Sequence, residues 1–139
     1  MTTRFSLLGL LAIALFAGGV FMVQLTSTPP RTVDARLDPY GSIQVHLQTE
    51  PDPPKPGGIP LMIHLTDAGG KPISVDQVKY EYWEKGDEPE TLEGEATGPG
   101  SYSAVAGIKS VGEWQVRVTL LKGSQQSQVK FVLRVMPNI

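Results

Sequence analysis

The stretch GEWQVRVTL, residues 112–120, alternates apolar and polar side chains from its third residue onward. Successive side chains of a β-strand point to opposite faces, so four apolar ones share a single face: Trp114, Val116, Val118 and Leu120. The pattern predicts a strand that buries one face and exposes the other. A tryptophan in such a strand is typical of the centre of a two-layer sandwich, and we expect Trp114 to lie in the core.

Six further segments extend this pattern along the chain. Turn sequences rich in glycine separate them at residues 56–58, 67–70, 98–100 and 122–124. With the first run they predict an all-β fold, a seven-stranded antiparallel immunoglobulin-like sandwich over residues 41–139. The clear runs span residues 43–47, 59–65, 78–82 and 129–135, and the weaker ones span residues 91–96 and 101–106.

The N-terminal part of the chain differs, because residues 5–23 form an uncharged apolar run. A helix of that length rises about 28 Å, close to the thickness of the hydrocarbon layer of a bilayer. We therefore predict one transmembrane anchor over residues 5–25 that contacts the lipid bilayer. Arg4 precedes it. By the positive-inside tendency, residues 1–4 are then cytoplasmic and the remainder of the chain is extracytoplasmic.

Alternatives to a simple anchor stay open. A cleaved signal peptide usually has a shorter apolar region, and Leu15 stands where cleavage after Ala17 favours a small residue. Gly18 and Gly19 would allow the anchor to pack closely against another membrane helix, although glycine is also common in membrane spans. Residues 26–40 follow with three prolines, which predicts an extended stalk.

The composition excludes several classes of function. The formal net charge is −2 and no basic cluster is present, so nucleic acid is not a predicted partner. The absence of cysteine excludes disulfides, thiolate metal sites and cysteine nucleophiles. No nucleophile-elbow or phosphate-loop motif occurs in its required context, so we predict a protein without catalytic activity. A small sandwich offers only clefts between loops, and no small-molecule substrate is expected.

An aromatic and acidic segment that begins within the third clear run is the predicted contact surface for a protein partner. Exposed tyrosine and tryptophan are typical of interface hot spots, and carboxylates attract basic partners. The alternatives are that the aromatic side chains pack in the core and that the acidic ones form a solvated hairpin. A Ca²⁺ site is a further alternative, although the spacing is not that of an EF-hand loop. The selected residues are Tyr80, Tyr82, Trp83, Glu84, Asp87 and Glu88.

The chain has two histidines, His46 and His64, and both stand opposite the apolar set of their predicted strands. If those strands are neighbours, both imidazoles come near Met62. Imidazole and thioether groups are ligands that copper accepts, so these three residues are the candidate metal ligands. The alternative is a pair of solvated histidines without a metal. We predict no resident cofactor, with copper as the alternative.

The order of turns and strands resembles that of the YtkA-like and FixH-like domains over residues 41–136. Residues 56–73 contain a Pro-Gly-Gly turn, a strand, an Asp-Ala-Gly-Gly turn and then a proline. Residues 100–102 and 112–118 match the Gly-x-Tyr and Gly-x-Trp-x-(apolar)-x-Val signatures of these domains. A predicted anchor before such a domain is similar to the FixH-like arrangement.

The resemblance implies an immunoglobulin-like domain on the outer face of a bacterial cytoplasmic membrane. FixH-like proteins are associated with the assembly of haem–copper terminal oxidases. Some relatives carry a Met- and His-containing segment suited to copper, but residues 79–95, which correspond to it here, contain neither methionine nor histidine.

The sequence therefore predicts a single-pass, membrane-anchored interaction module that is not catalytic. Its expected role is that of an accessory or assembly subunit of an integral membrane complex, with a respiratory oxidase as the specific form that the resemblance implies. The alternative prediction is a periplasmic copper-handling domain.

Overall fold

The computed structural model describes residues 30–138, and within them the chain forms nine β-strands. All neighbouring strands pair in the antiparallel sense. The all-β prediction is confirmed for these residues. The strands are β1 (Thr32–Leu37), β2 (Gly41–Thr49), β3 (Gly57–Asp67), β4 (Gln77–Glu84), β5 (Glu90–Glu93), β6 (Glu95–Gly98), β7 (Ser101–Ile108), β8 (Gly112–Lys122) and β9 (Gln125–Val135).

Two sheets form the layers of the domain. One has five strands in the order β1-β2-β3-β7-β6, and the other has four in the order β5-β4-β8-β9. The alternating apolar side chains of every long strand point into the space between the sheets. Trp114 is 4% exposed, and its Nε1 donates a hydrogen bond to the carbonyl oxygen of Ser110 over 2.9 Å. The prediction of a core tryptophan is therefore confirmed.

The predicted count of seven strands is wrong, and one reason lies before residue 41. β1 falls inside residues 26–40, the segment that the prolines predicted to be a stalk. It pairs with β2 from Thr32 opposite His46 to Leu37 opposite Gly41, and Leu37 is 1% exposed. This pairing satisfies the backbone N–H and C=O groups on the outer edge of β2, which a separate stalk would leave unpaired. The sandwich thus begins at residue 32.

The second reason is that the weak run at residues 91–96 is two strands that belong to different sheets. β5 pairs with β4, whereas β6 pairs with β7. Gly94 lies between them, and its amide donates to the carbonyl oxygen of Val78 over 2.8 Å. A Cβ at Gly94 would lie 3.1 Å from the Tyr80 ring. The small residue lets the chain cross closely over β4 on its way to the other sheet.

Hydrogen bonds made by two buried tyrosines tie the sheets together. The Tyr80 hydroxyl, on β4, donates to the Tyr102 carbonyl oxygen, on β7, over 2.6 Å. The Tyr102 hydroxyl accepts from the amide of Val75 over 2.9 Å and lies 3.3 Å from the Val75 carbonyl oxygen. A buried hydroxyl is costly unless it is hydrogen-bonded, so these bonds favour one particular arrangement of the two sheets, in addition to the apolar contacts between them.

Stability should fall in alkaline solution because of Tyr80. Burial raises the pKa of the Tyr80 phenol well above the value of about 10 that an exposed tyrosine has. As the pH rises, the unfolded chain therefore loses the Tyr80 proton before the folded protein does. The stabilising contribution of Tyr80 is complete below about pH 10 and is lost as the pH rises further, by up to about 1.4 kcal/mol per pH unit. Urea unfolding of the parent and of Tyr80→Phe between pH 8 and 11.5 measures this. An equally steep decline in both proteins would contradict the prediction.

One end of the sandwich collects the start of β1, the end of β9 and three loops, and we call it the entry end. The loops are residues 50–56, 85–89 and 109–111. The amide of Met136, after β9, donates to the carbonyl oxygen of Pro54 over 2.9 Å. Arg31, just before β1, donates from Nη2 to Asp52 Oδ1 over 2.9 Å. The chain thus enters the domain beside the loops that join strands at this end.

No helix among residues 30–138 is long and apolar enough to cross a bilayer. The predicted anchor over residues 5–25, with Gly18 and Gly19, lies outside the described residues.

Candidate functional site

A cleft of about 330 Å³ opens at the entry end, between the β4–β5 hairpin and the loop before β8. Four acidic side chains and a single lysine line it, together with the edges of aromatic residues. We call it the acidic cleft. Its lining is formed by Tyr82, Trp83, Glu84, Asp87, Glu88, Glu90, Lys109 and Trp114.

Five of the six residues predicted to contact a partner meet in the acidic cleft, and Tyr80 is the exception. A contact role for the rings of Tyr80 and Tyr82 is wrong, because they are 0% and 4% exposed. Both belong to the inward-facing set of β4, as the alternative reading of the aromatics proposed. Trp83, the next residue along, is half-buried and points to the opposite face.

Glu84 holds the two walls of the cleft together. Both of its carboxylate oxygens lie 3.1 Å from Ser110 Oγ, which donates to them. The carbonyl oxygen of the same serine accepts from the Trp114 indole. Glu84 therefore fixes the loop at residues 109–111 against the core tryptophan, and it is less available to a partner than its charge suggests.

Asp87 and Glu88 are the available charges of the cleft. Both are exposed, and within residues 30–138 neither has a basic side chain within 4.0 Å. Lys109 lies instead 3.7 Å from Glu90 in an exposed pair, which contributes little stability because water screens it. The two unpaired carboxylates can therefore meet a basic partner without first losing an internal ion pair.

Trp83 borders the cleft and also lies on the outer face of the four-stranded sheet. The Arg117 guanidinium carbon and Lys130 Nζ lie 5.2 Å and 5.9 Å from its ring centroid, distances at which a cation is attracted to an aromatic ring. Arg117 Nε also donates to Glu81 Oε1 over 2.9 Å. This hydrogen bond lowers the pKa of Glu81 and raises that of Arg117.

Sequence reasoning missed four contributors to this region: Glu90, Lys109, Ser110 and Arg117. Glu90 is part of the same acidic run and could have been selected with its neighbours. Lys109 and Ser110 are separated from Glu88 by three strands, β5 to β7, and only the packing of β7 beside the hairpin brings them close. Arg117 stands opposite Glu81 in the β4–β8 register, which no local pattern indicates.

The predicted metal ligands lie elsewhere, on the outer face of the five-stranded sheet. Their strands are neighbours, which is the condition for bringing the histidines together: His46 stands directly opposite His64 and Gln48 opposite Met62. The two imidazole centroids are 6.3 Å apart. Within residues 30–138 no group of three or more histidine, aspartate or glutamate side chains is placed to hold a metal ion.

Comparison with known proteins gives one family match and one structural match. The model of a family described as YtkA-like matches residues 38–119. No curated protein matches the chain. A crystal structure of an engineered protein aligns with a TM-score of 0.49 and 18% identity, covering 66% of this chain and 20% of that one. The chain thus spans about a fifth of the length of that protein.

Proposed function

This chain belongs to the YtkA-like family, and from that premise we propose that it is a non-catalytic interaction module held on the outer face of a bacterial cytoplasmic membrane. The uncharged run at residues 5–23 supports the anchor. The two-sheet architecture supports the finer assignment of an immunoglobulin-like sandwich. The resemblance to FixH-like proteins supports the most specific form, an accessory or assembly subunit of a respiratory oxidase.

The observation that carries the proposal is the position of the acidic cleft at the entry end. The predicted anchor ends at residue 25 and β1 begins at Thr32, so six residues separate the membrane from the domain. Fully extended, they span about 20 Å. A tether this short keeps the entry end, and with it the acidic cleft, close to the membrane surface. The cleft then faces whatever protrudes from that surface.

The chemistry of the cleft favours a protein over the lipid itself. Exposed carboxylates at Asp87 and Glu88 are repelled by anionic headgroups and attracted by lysine and arginine. The half-buried ring of Trp83 beside them offers apolar contact area. The partner we propose is an integral membrane protein with a basic extracytoplasmic loop, which the cleft would hold at a set height above the bilayer.

Removing the two free charges should weaken this association. We expect the double variant Asp87→Asn/Glu88→Gln to bind the partner about tenfold more weakly, because two exposed charge contacts contribute roughly 0.7 kcal/mol each. The measurement is purification of the tagged full-length chain from native membranes in mild detergent, with mass spectrometry of partners and metals. The matched control is Asp34→Asn/Glu95→Gln, which removes two exposed charges away from the cleft.

Separate outcomes test the anchor and the cleft. Release of the full-length chain by alkaline carbonate extraction would contradict an integral anchor, whatever the cleft does. Equal recovery of a membrane complex with the cleft variant and the control would contradict the role of Asp87 and Glu88. Higher salt should weaken the association, because the contacts are exposed and therefore screened.

A further inference from the structure

Four side chains with metal-binding atoms form a rectangle on the outer face of β2 and β3. His46 stands opposite His64, and two residues along the same strands Gln48 stands opposite Met62. Directly opposed residues of antiparallel strands have Cβ atoms about 4.5–5.5 Å apart. His46 and Gln48 are exposed, and His64 and Met62 are half-buried. The rectangle is therefore open to solvent, and it shares no residue with the acidic cleft.

Each imidazole is oriented by a hydroxyl group from the strand on its outer side. His46 Nδ1 lies 2.7 Å from Thr32 Oγ1 on β1, and His64 Nδ1 lies 2.8 Å from Ser101 Oγ on β7. When Nδ1 donates its proton to the hydroxyl, the lone pair of the ring is on Nε2. Hydrogen bonds of this kind orient metal-binding histidines in proteins generally.

The spacing of the remaining donor atoms suits a first-row metal ion. His64 Nε2 and Gln48 Oε1 are 3.2 Å apart. Two ligands at about 2.0–2.1 Å from a tetrahedral ion are about 3.3 Å apart. Two imidazoles bound to one tetrahedral ion have centroids about 5 Å apart, so the rings, whose centroids are 6.3 Å apart, must approach each other by about 1 Å. In the tautomer with Nδ1 protonated, a metal can occupy the place between Nε2 and the amide oxygen after small side-chain movements.

We propose that His46 and His64 bind one divalent transition-metal ion through their Nε2 atoms, with the Gln48 amide oxygen as third ligand. Met62 lies at the fourth corner of the rectangle. By the general order of affinities for such donors, Cu²⁺ should bind most tightly, ahead of Ni²⁺ and Zn²⁺. The site is independent of the proposed partner contact, because it uses the other sheet and none of the residues of the acidic cleft.

The test is titration of the full-length protein in detergent, freed of metal by a chelator, with Cu²⁺, Ni²⁺ and Zn²⁺. We expect one ion per chain, and for Cu²⁺ an electron paramagnetic resonance spectrum with two coordinated imidazole nitrogens. Because the chain has only two histidines, His46→Gln and His64→Gln should each abolish this signal. Affinity should also fall as the solution is acidified, since protons compete for the imidazoles.

A matched pair of serine variants tests whether the Ser101 hydroxyl orients the His64 imidazole, as distinct from any effect of removing a hydroxyl from this surface. Ser101→Ala removes the hydroxyl beside His64 and should weaken Cu²⁺ binding about 10–100-fold. Ser103→Ala, two residues further on β7 and opposite Met62, should leave the affinity unchanged. Failure of all three ions to bind would overturn the proposal, as would stoichiometric binding that survives both histidine substitutions. The second result would mean that the histidines form only a hydrogen-bonded surface row.

Discussion

Replacing Gly100 by Ala is expected to lower the free energy of unfolding by about 2–5 kcal/mol. Gly100 has a φ of +71°, and a side chain in this left-handed region costs about 1–2 kcal/mol. The added Cβ would also lie 2.7 Å from the carbonyl oxygen of Leu65 and 3.0 Å from Pro72 Cβ. Overpacking of a filled site costs about a further 1–3 kcal/mol.

The surroundings of Gly100 cannot move aside without losing hydrogen bonds. The Gly100 carbonyl oxygen accepts from the amide of Leu65 over 2.8 Å, and the Leu65 carbonyl oxygen accepts from the amide of Ile73 over 3.1 Å. These bonds join the turn before β7 to the end of β3 and the segment after it. A shift that relieves the clash would therefore leave buried backbone groups unpaired, which is costly in itself.

The control for this substitution is Gly123→Ala. Gly123 also has a positive φ, +59°, but a Cβ there meets nothing within 4 Å. Its substitution should cost only the conformational part, about 1–2 kcal/mol. Urea denaturation followed by tryptophan fluorescence reports on the sandwich alone, because both tryptophans of the chain lie in it. Equal losses in the two variants would contradict the close approach at Gly100.

The second large effect is expected from Leu61→Ala, at about 2–5 kcal/mol of unfolding free energy. Leu61 is 0% exposed and lies near the middle of β3, between β2 and β7. Strands that are paired on both sides cannot collapse into the space left by the missing carbons, so a cavity remains. The same denaturation experiment measures the loss.

Val105→Ala is the control for the core substitution. Val105 is on β7, 61% exposed, and stands opposite Pro60 on the outer face. Truncation of such a surface side chain should change stability by no more than about 0.5 kcal/mol. A loss at Val105 comparable to that at Leu61 would show that another surface covers this face in solution.

Local periodicity predicted the long strands correctly, and for a clear reason. In β2, β3, β4, β8 and β9 one face is buried and the other is wet, so the pattern in the sequence records which side of the sheet is the core. The same argument placed Trp114 in the interior. It also put His46 and His64 on the outward faces of consecutive strands, and only the pairing of β2 with β3 brings them together.

β1 was not predicted, and β5 and β6 were predicted as a single strand, because the alternation of apolar and polar residues is weaker in these segments. β1 follows two prolines and buries only Leu37 fully, so its place in the sheet depends on β2. β5 and β6 are short and mostly exposed. No local sequence pattern distinguishes a single strand that continues through Gly94 from two strands that pair with different sheets. The chain changes sheets at Gly94 because β5 pairs with β4 in one sheet and β6 pairs with β7 in the other.

The candidate site shows the same division. Trp83, Glu84, Asp87 and Glu88 lie within six residues, so one hairpin brings them to the same cleft and the sequence could predict their association. Tyr80 and Tyr82 were misassigned as contacts, because alternation shows that one face of a strand is buried without saying which. Only the second sheet, packed over those rings, decides that question.

The sequence by itself determined the β-class, the position of the long strands, the core tryptophan and membership of the YtkA-like family. These follow from side-chain chemistry that repeats every two residues and from turn residues that act locally. The tertiary structure alone decided the nine-strand count, the exchange of sheets at Gly94, the closing of the acidic cleft by Ser110 and Lys109, and the orientation of the histidines by Thr32 and Ser101. Each of these depends on contacts between residues distant in the chain, whose free energy appears only when the strands pair and the two sheets pack.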